Sequence, residues 1–132
     1  MDRRELVEEA LTRSVIGSFY EVYNTLKFGL LESLYSKALE WELSSRGHRV
    51  VREFGVRVYY KEIDLGLQRL DLVIDEKLVV EIKSTDDLPK TAVRQVYNYL
   101  RASNLELGLL LHFGPEPKFY RVYVPNDPRP GR

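Results

Sequence analysis

The sequence predicts an α/β sandwich, a mixed central β-sheet flanked by helices, in the order α-α-β-β-β-α-β-β. Three observations carry that expectation. Apolar residues recur at helical spacing up to residue 46, and from residue 49 the chain turns to Val-, Tyr- and Phe-rich runs. The stretch "LGLLLHF" at 107–113 is apolar on both faces, as a strand buried between two layers must be. A further helical pattern lies among the strand patterns, so the sheet is expected to be mixed.

The elements follow in order. Over residues 3–26 the apolar positions are Leu6, Ala10, Leu11, Val15, Phe19, Val22 and Tyr23, which is helical spacing. "KFG" interrupts it. A second helix is expected from about Leu30 to Arg46, with a core stripe of Leu31, Leu34, Tyr35, Ala38 and Trp41 and a stop at Gly47. "RVVREFGVRVYY" reads as strand, with Gly55 marking a bulge or bend. "KEIDLG" reads as a turn. Strands at Gln68–Ile74 and Leu78–Lys83 flank the short turn "DEK". The third helix opens with Pro89 in its first turn and Asp86 or Asp87 as cap, and runs to about Ala102 on a core face of Val93, Val96, Tyr97 and Leu100. "KFYRVYV" alternates as a last strand. The tail "NDPRPGR" carries no core-forming residue. The expected organisation is one domain over 1–125 and a tail over 126–132.

Composition narrows the chemistry. A chain of 132 residues, 44% hydrophobic, can build one proper core. No run approaches the ~20 apolar residues that span a bilayer, and "MDRRELVEEA" has no signal-peptide apolar region. The expectation is a cytoplasmic protein with no membrane partner. The absence of cysteine excludes disulfides, zinc–thiolate sites, iron–sulfur clusters and thiol nucleophiles. His48 and His112 are far apart and show no ligand spacing, so neither a His-based metal site nor a Ser-His-Asp triad is expected. The net charge of zero withholds the support that a basic balance would lend to a nucleic-acid partner, although a neutral total is compatible with a basic patch beside an acidic site. A charged fraction of 30% with two Gln, one Met and no Cys leans towards a thermophile.

The informative stretch is "RLDLVIDEKLVVEIK", residues 69–83. Asp71, Glu81 and Lys83 sit inside runs of Leu, Val and Ile, where an unpaired charge is costly. A three-residue loop at Asp75–Lys77 places Asp71 opposite Glu81 and Arg69 opposite Lys83, with residues 69, 71, 73, 79, 81 and 83 on one face. Opposed like charges destabilise a sheet. A divalent cation between them reverses the sign, and oxygen ligands suit Mg²⁺ or Mn²⁺. A two-residue loop would instead send the two carboxylates to opposite faces. Taken alone, Glu-x-Lys on a strand is usually a solvated strand face. Two helices also carry polar residues on otherwise apolar ground. Glu32 lies one turn from Tyr35, on the side of Leu39 and Leu43; helical pattern alone reads it as a boundary glutamate reaching water. Gln95 and Tyr99, four apart, project together, apart from a basic stripe of Lys90, Arg94 and Arg101. Gln95 and Tyr99 read either as surface residues or as contacts to a nucleotide or phosphate.

At this point the motifs agree with a known family. "GLLESLY" resembles the Gly-x-x-Glu-x-x-Tyr signature of the GxxExxY proteins at Gly29, Glu32 and Tyr35, and "RLDLVIDEKLVVEIKS" and "RQVYNYLRASNLELGLLLHFG" resemble that family's core hairpin and its closing helix and strand. The resemblance covers most of residues 14–114 in order. It places the chain beside the PD-(D/E)xK nuclease-like superfamily, and implies a restriction-endonuclease-like three-layer sandwich. It implies a metal-dependent nuclease hydrolysing phosphodiester bonds of DNA or RNA, DNA ahead of RNA. Asp71, Glu81, the Ile82 carbonyl and Glu32 would serve Mg²⁺ or Mn²⁺. Glu32, Asp71, Glu81 and Lys83 would be catalytic, and Gln95 and Tyr99 would match the Gln-x-x-x-Tyr of an exonuclease-like branch and bind substrate. Two positions depart from the family: Tyr23 and Ala92 stand where many relatives carry His. The alternative reading is a non-catalytic module that binds nucleic acid or a protein. A homodimer would enlarge the gripping surface of so small a chain.

Overall fold

The computed structural model describes residues 8–125. Helix α1 spans Glu9–Leu26, α2 Glu32–Ser45, β1 Val50–Tyr60, β2 Ile63–Ile74, β3 Leu78–Lys83, α3 Ala92–Ser103, β4 Leu107–Phe113 and β5 Pro117–Tyr123. The order is the expected one. Residues 3–7 of the expected first helix and the tail at 126–132 lie outside the described residues.

The strands line up in chain order, β1-β2-β3-β4-β5. β3 and β4 are parallel and every other neighbouring pair is antiparallel. A parallel pair needs a crossover, and α3 provides it. The mixed sheet separates two cores. On one face α1 and α2 pack Val15, Phe19, Tyr35, Leu39 and Leu43 over Leu72, Ile74, Val80, Ile82, Leu109 and Leu111. On the other, α3 packs Ala92, Val96 and Leu100 over Val73, Val79 and Leu110. The result is the three-layer α/β/α sandwich. "LGLLLHF" is β4, buried along its whole length between β3 and β5. α3 lies very close over this strand: a Cβ at Gly108 would fall 2.6 Å from Val96 Cγ1.

Gly47 ends α2 as expected. It sits at φ 90°, its N–H donates to Ser44 O at 3.0 Å, and the His48 N–H donates to Leu43 O at 3.1 Å. These are the two hydrogen bonds of a Schellman stop.

Five expectations need correction. The buried stripe of α2 is Tyr35, Ser36, Leu39 and Leu43, whereas Leu31, Leu34 and Trp41 are exposed. The helix is apolar on two sides, and the period alone does not say which side meets the sheet. In α3 the buried face is Ala92, Val96 and Leu100, and Val93 is exposed. That helix begins only at Ala92, with Thr91 as N-cap, so Asp86 and Asp87 precede it without capping it. "KEIDLG" is largely strand: the turn is Lys61-Glu62, between the paired residues Tyr60 and Ile63. The irregularity in β1 falls at Val58/Tyr59, not at Gly55. Among the described residues no helix is long and apolar enough to cross a membrane.

Candidate functional site

The site starts from a turn. Asp75 and Glu76 take positive φ, 53° and 58°, and the Lys77 N–H donates to Ile74 O at 3.0 Å. This three-residue loop pairs Ile74 with Leu78, Val73 with Val79 and Leu72 with Val80. It is the register expected from the sequence, and one step further brings Asp71 level with Glu81. There the ladder stops. The Asp71 N–H donates to Glu81 Oε1 at 3.1 Å, and the Ile82 N–H donates to Asp71 Oδ2 at 2.8 Å. Two side-chain carboxylates thus replace the carbonyls that a regular ladder would offer. The expected Arg69–Lys83 pair does not form in the ladder; Arg69 is paired with Gly55 of β1. The alternation of β2 also breaks here, since Leu72 belongs to the core under α1 and α2 and Leu70 to the core under α3. Glu53, which the β1 register brings level with Asp71, has φ 55°. The strands part at the acidic pair, which lies on the face of Val73 and Val79, under α3.

Electrostatics follow from this placement. Glu81 is 4% exposed. Burial pushes its carboxyl up to about 8, and the charge of Asp71 pushes the same way. Asp71 is also raised, first by burial and then by Glu32, while the Ile82 N–H and the Lys83 ammonium pull it back. Two acid groups therefore face each other in a poorly solvated place, with Lys83 the cation that acts on both. Such a donor set, all hard oxygen and short of positive charge, fits a divalent ion of the Mg²⁺ type. The fit rests on the pair alone: among the described residues no group of three or more His, Asp or Glu forms a ready-made metal cage.

Glu32 is the first residue of α2, at the end of a tightly held loop. Gly29 has φ 113°, which a glycine adopts without strain. The Tyr35 hydroxyl donates to Lys27 O and accepts the Leu30 N–H at 3.2 Å. The Tyr35 ring stacks on Phe113 with centroids 3.9 Å apart. So fixed, the loop grips the residue after Lys83. Ser84 Oγ donates to Leu30 O at 2.5 Å, and the Ser84 N–H donates to Glu32 Oε2 at 3.2 Å. Gly29, Glu32 and Tyr35 act together to hold the end of β3, and Glu32 stays close enough to influence Asp71.

α3 supplies the other wall. Gln95 and Tyr99 line a cleft of about 910 Å³ whose opposite side is the outer β1–β2 hairpin. Burial raises the Tyr99 phenol, and the charges of Glu81 and Asp71 add to it. The cleft is tied to the strand that carries Asp71 through Gln68, which lines it and donates to Tyr99. The expected basic stripe divides: Arg101 lines the cleft, while the Arg94 guanidinium lies over the Tyr97 ring, 4.7 Å from its centroid.

Gln68 and His112 were not singled out as site residues from the sequence. Gln68 Nε2 donates to Tyr99 Oη at 3.2 Å; a polar residue three before Asp71 on the same strand was the available signal. His112 is level with Lys83 on the neighbouring strand. It is 5% exposed, its Nε2 lies 2.9 Å from Thr85 O, and its Nδ1 has no partner among the described residues. The other histidine sits in a polar chain that spacing in the sequence does not reveal. Ser14 Oγ lies 2.7 Å from His48 Nε2, and His48 Nδ1 lies 2.7 Å from Asp75 Oδ2. The connectivity is that of a Ser-His-Asp triad. Hydrolysis by such a triad also needs donors for the oxyanion and a place for substrate. Ser14 lies within α1, and neither the cleft under α3 nor the hollow beside Trp41 is lined by Ser14 or His48. The three residues latch α1 to the turn of the hairpin.

The model of the PD-(D/E)XK nuclease superfamily matches this chain over residues 9–122. The chain belongs to that superfamily. Among solved structures, the crystal structure of SSO0001 is similar, with a TM-score of 0.57 and 20% identity over 95% of this chain. That likeness shows a shared fold, and the chain spans 63% of the length of SSO0001. No curated protein matches the chain.

Proposed function

We propose that this PD-(D/E)XK protein is a metal-dependent nuclease that hydrolyses phosphodiester bonds, DNA ahead of RNA, and that it is of the GxxExxY type. The observation that carries the reading is the crossed pair: Asp71 and Glu81 each accept a backbone N–H beside the other, are held level where the strands part, and are both raised, first by burial and then by neighbouring negative charge. The acid-x-Lys of the superfamily name corresponds to Glu81-Ile82-Lys83, and Asp71 to its aspartate; Leu70 stands in place of the proline.

Asp71, Glu81 and the Ile82 carbonyl would hold Mg²⁺ or Mn²⁺. A divalent ion supplies a lowered pKa for the attacking water and a counter-charge for phosphate oxygens. Lys83 neutralises charge that develops in the transition state. Glu32, one loop away, orients the water or a second ion. Gln95 and Tyr99 position the nucleic acid from α3. The GxxExxY reading gains support from the joint action of Gly29, Glu32 and Tyr35 on Ser84, which keeps the end of β3 in place. A homodimer would bring a second gripping surface, and the exposed Leu34 and Trp41 offer apolar area for it.

Cleavage of labelled DNA and RNA, single- and double-stranded, in Mn²⁺ and in EDTA, tests the proposal beside Glu81→Ala. The expected result is cutting that needs metal and disappears in the variant. Binding of metal and nucleic acid without cutting of any substrate would overturn it in favour of a non-catalytic binding module.

A further inference from the structure

We propose that the cleft between the outer β1–β2 hairpin and α3 seats an unpaired polynucleotide strand and leads it past Asp71 and Glu81; the inference deepens the nuclease reading and rests on it. The hairpin makes the cleft because β2 outruns β3. β2 starts at Ile63, yet its ladder with β3 covers only Leu72–Ile74, so the outer hairpin stands out from the sheet as an arm facing α3.

The lining is chemically one-sided. The whole chain has 20 basic and 20 acidic residues. The cleft has Arg57, Lys61 and Arg101 and no carboxylate in its wall. Arg57 shares its charge with the exposed Asp64 at 3.2 Å; Lys61 and Arg101 complete a field suited to phosphate. Tyr59 and Tyr99 add two aromatic rings, and Gln68 and Gln95 add amides that can meet base edges. Tyr59 is 59% exposed, so its ring is accessible to a base.

This set distinguishes unpaired from paired substrate. Aromatic rings bind bases by their faces, which a duplex keeps inside its own stack. In duplex recognition a tyrosine serves by its hydroxyl on phosphate, and its ring face goes unused. The cleft, at about 910 Å³, has the size of a large ligand pocket. That is room for a short length of one strand. Gln68 and Tyr99 join cleft to chemistry: both line the cleft, Gln68 donates to Tyr99, and Gln68 lies on β2 three residues before Asp71.

The test is fluorescence anisotropy with labelled DNA and RNA oligonucleotides, unpaired and as duplexes of the same sequence, in EDTA so that cutting does not intervene. Cleavage in Mn²⁺ is followed separately on the same proteins. Unpaired strands of DNA, RNA or both are expected to bind at least about tenfold more tightly than duplex. Tyr59→Ala removes a stacking ring from an exposed position and is expected to weaken single-strand binding about 5- to 100-fold. Arg101→Gln is expected to reduce the salt dependence by about one unit of slope. Duplex bound as tightly as single strand, or both variants binding single strands like wild type, would overturn the inference. If cleavage persists in that case, the nuclease reading survives it. The expected binding pattern with no cleavage of any substrate supports the cleft and sinks the nuclease.

Discussion

Asp71 and Asp75 belong to one stretch of chain, one inside β2 and the other just past its end, and their carboxyls move in opposite directions. Burial works against the charge of Asp75, but the Arg49 N–H at 2.7 Å, the His48 ring at 2.7 Å and the Lys77 ammonium outweigh it, and its pKa falls. Asp71 is raised, with burial the largest cause and Glu32 opposing its charge. Asp75 is a finished structure: its oxygens have hydrogen-bond partners and its charge has the Lys77 ammonium near it. Asp71 and Glu81 have backbone donors but too little positive charge. The difference separates a carboxylate that holds the fold together from a pair that awaits a ligand.

The comparison can be broken most easily by activity. In single-turnover cleavage with Mn²⁺, Glu81→Gln is expected to lose at least about 10²-fold, the scale on which removal of one charge-stabilising group acts. Asp75→Asn is expected to stay within about twofold of wild type, because it touches neither cleft nor pair. Equal losses would show that both carboxylates serve the chemistry, or that neither does.

Stability against pH sharpens the contrast. Glu81 binds its proton more tightly in the fold than in the unfolded chain, since its carboxyl is raised from 4.5 to about 8. Its contribution is fully present below the unfolded value and is lost as pH rises through the folded one. In EDTA, the melting temperature should therefore drop by several degrees between pH 5 and 9, the range about those two values. Glu81→Gln should flatten that drop, and Mn²⁺ should restore the wild type mainly at the alkaline end. Asp75 has the reverse sign: its contribution is present above the ordinary carboxylate value of 3.8 and is lost as pH falls below it. Metal that left the alkaline drop untouched would remove Asp71 and Glu81 as its ligands.

The smallest effects concern the latch. Asp75→Asn keeps an acceptor for the Arg49 N–H but gives up the carboxylate's charge beside Lys77 and its hydrogen bond with the His48 ring, a cost of about 1 kcal/mol at this partly exposed place. Ser14→Ala removes only the far end of the chain, and is expected to cost about 0.5 kcal/mol. Both are read from urea denaturation of the metal-free protein. A Ser14→Ala variant that lost hydrolytic activity while keeping its stability would turn the latch into a catalytic triad.

The acidic pair was legible because two local rules agreed. Alternation fixed the faces of β2 and β3, and a three-residue turn fixed which residues met. The ending of the ladder at that point was not legible, because it arises when side chains take over hydrogen bonds that pattern assigns to the backbone. The outer hairpin was misread for a different reason. Asp64 and Gly66 suggest a turn, and they masked the alternation of Ile63, Leu65 and Leu67, whose side chains are exposed and so fit no core. Helix α2 shows the limit of periodicity: Leu34 and Trp41 on one side and Leu39 and Leu43 on the other are equally apolar, and only the sheet decides between them. The latch from Ser14 to Asp75 joins three distant parts of the chain, for which spacing carries no signal. The fold was thus legible from order and pattern, and the cleft, built by an arm and a helix far apart in sequence, was not.

Gly108 carries no chemistry, yet it sets a dimension that chemistry depends on. With Val96 packed where a methyl group would go, α3 rides as low over the sheet as backbone contact allows. Gln95 and Tyr99 ride with it. Add one carbon at position 108 and the helix must climb, carrying the far bank of the cleft away from the carboxylates. The working gap of this protein is gauged by a hydrogen atom on a buried strand, on the side of the helix that no substrate ever sees.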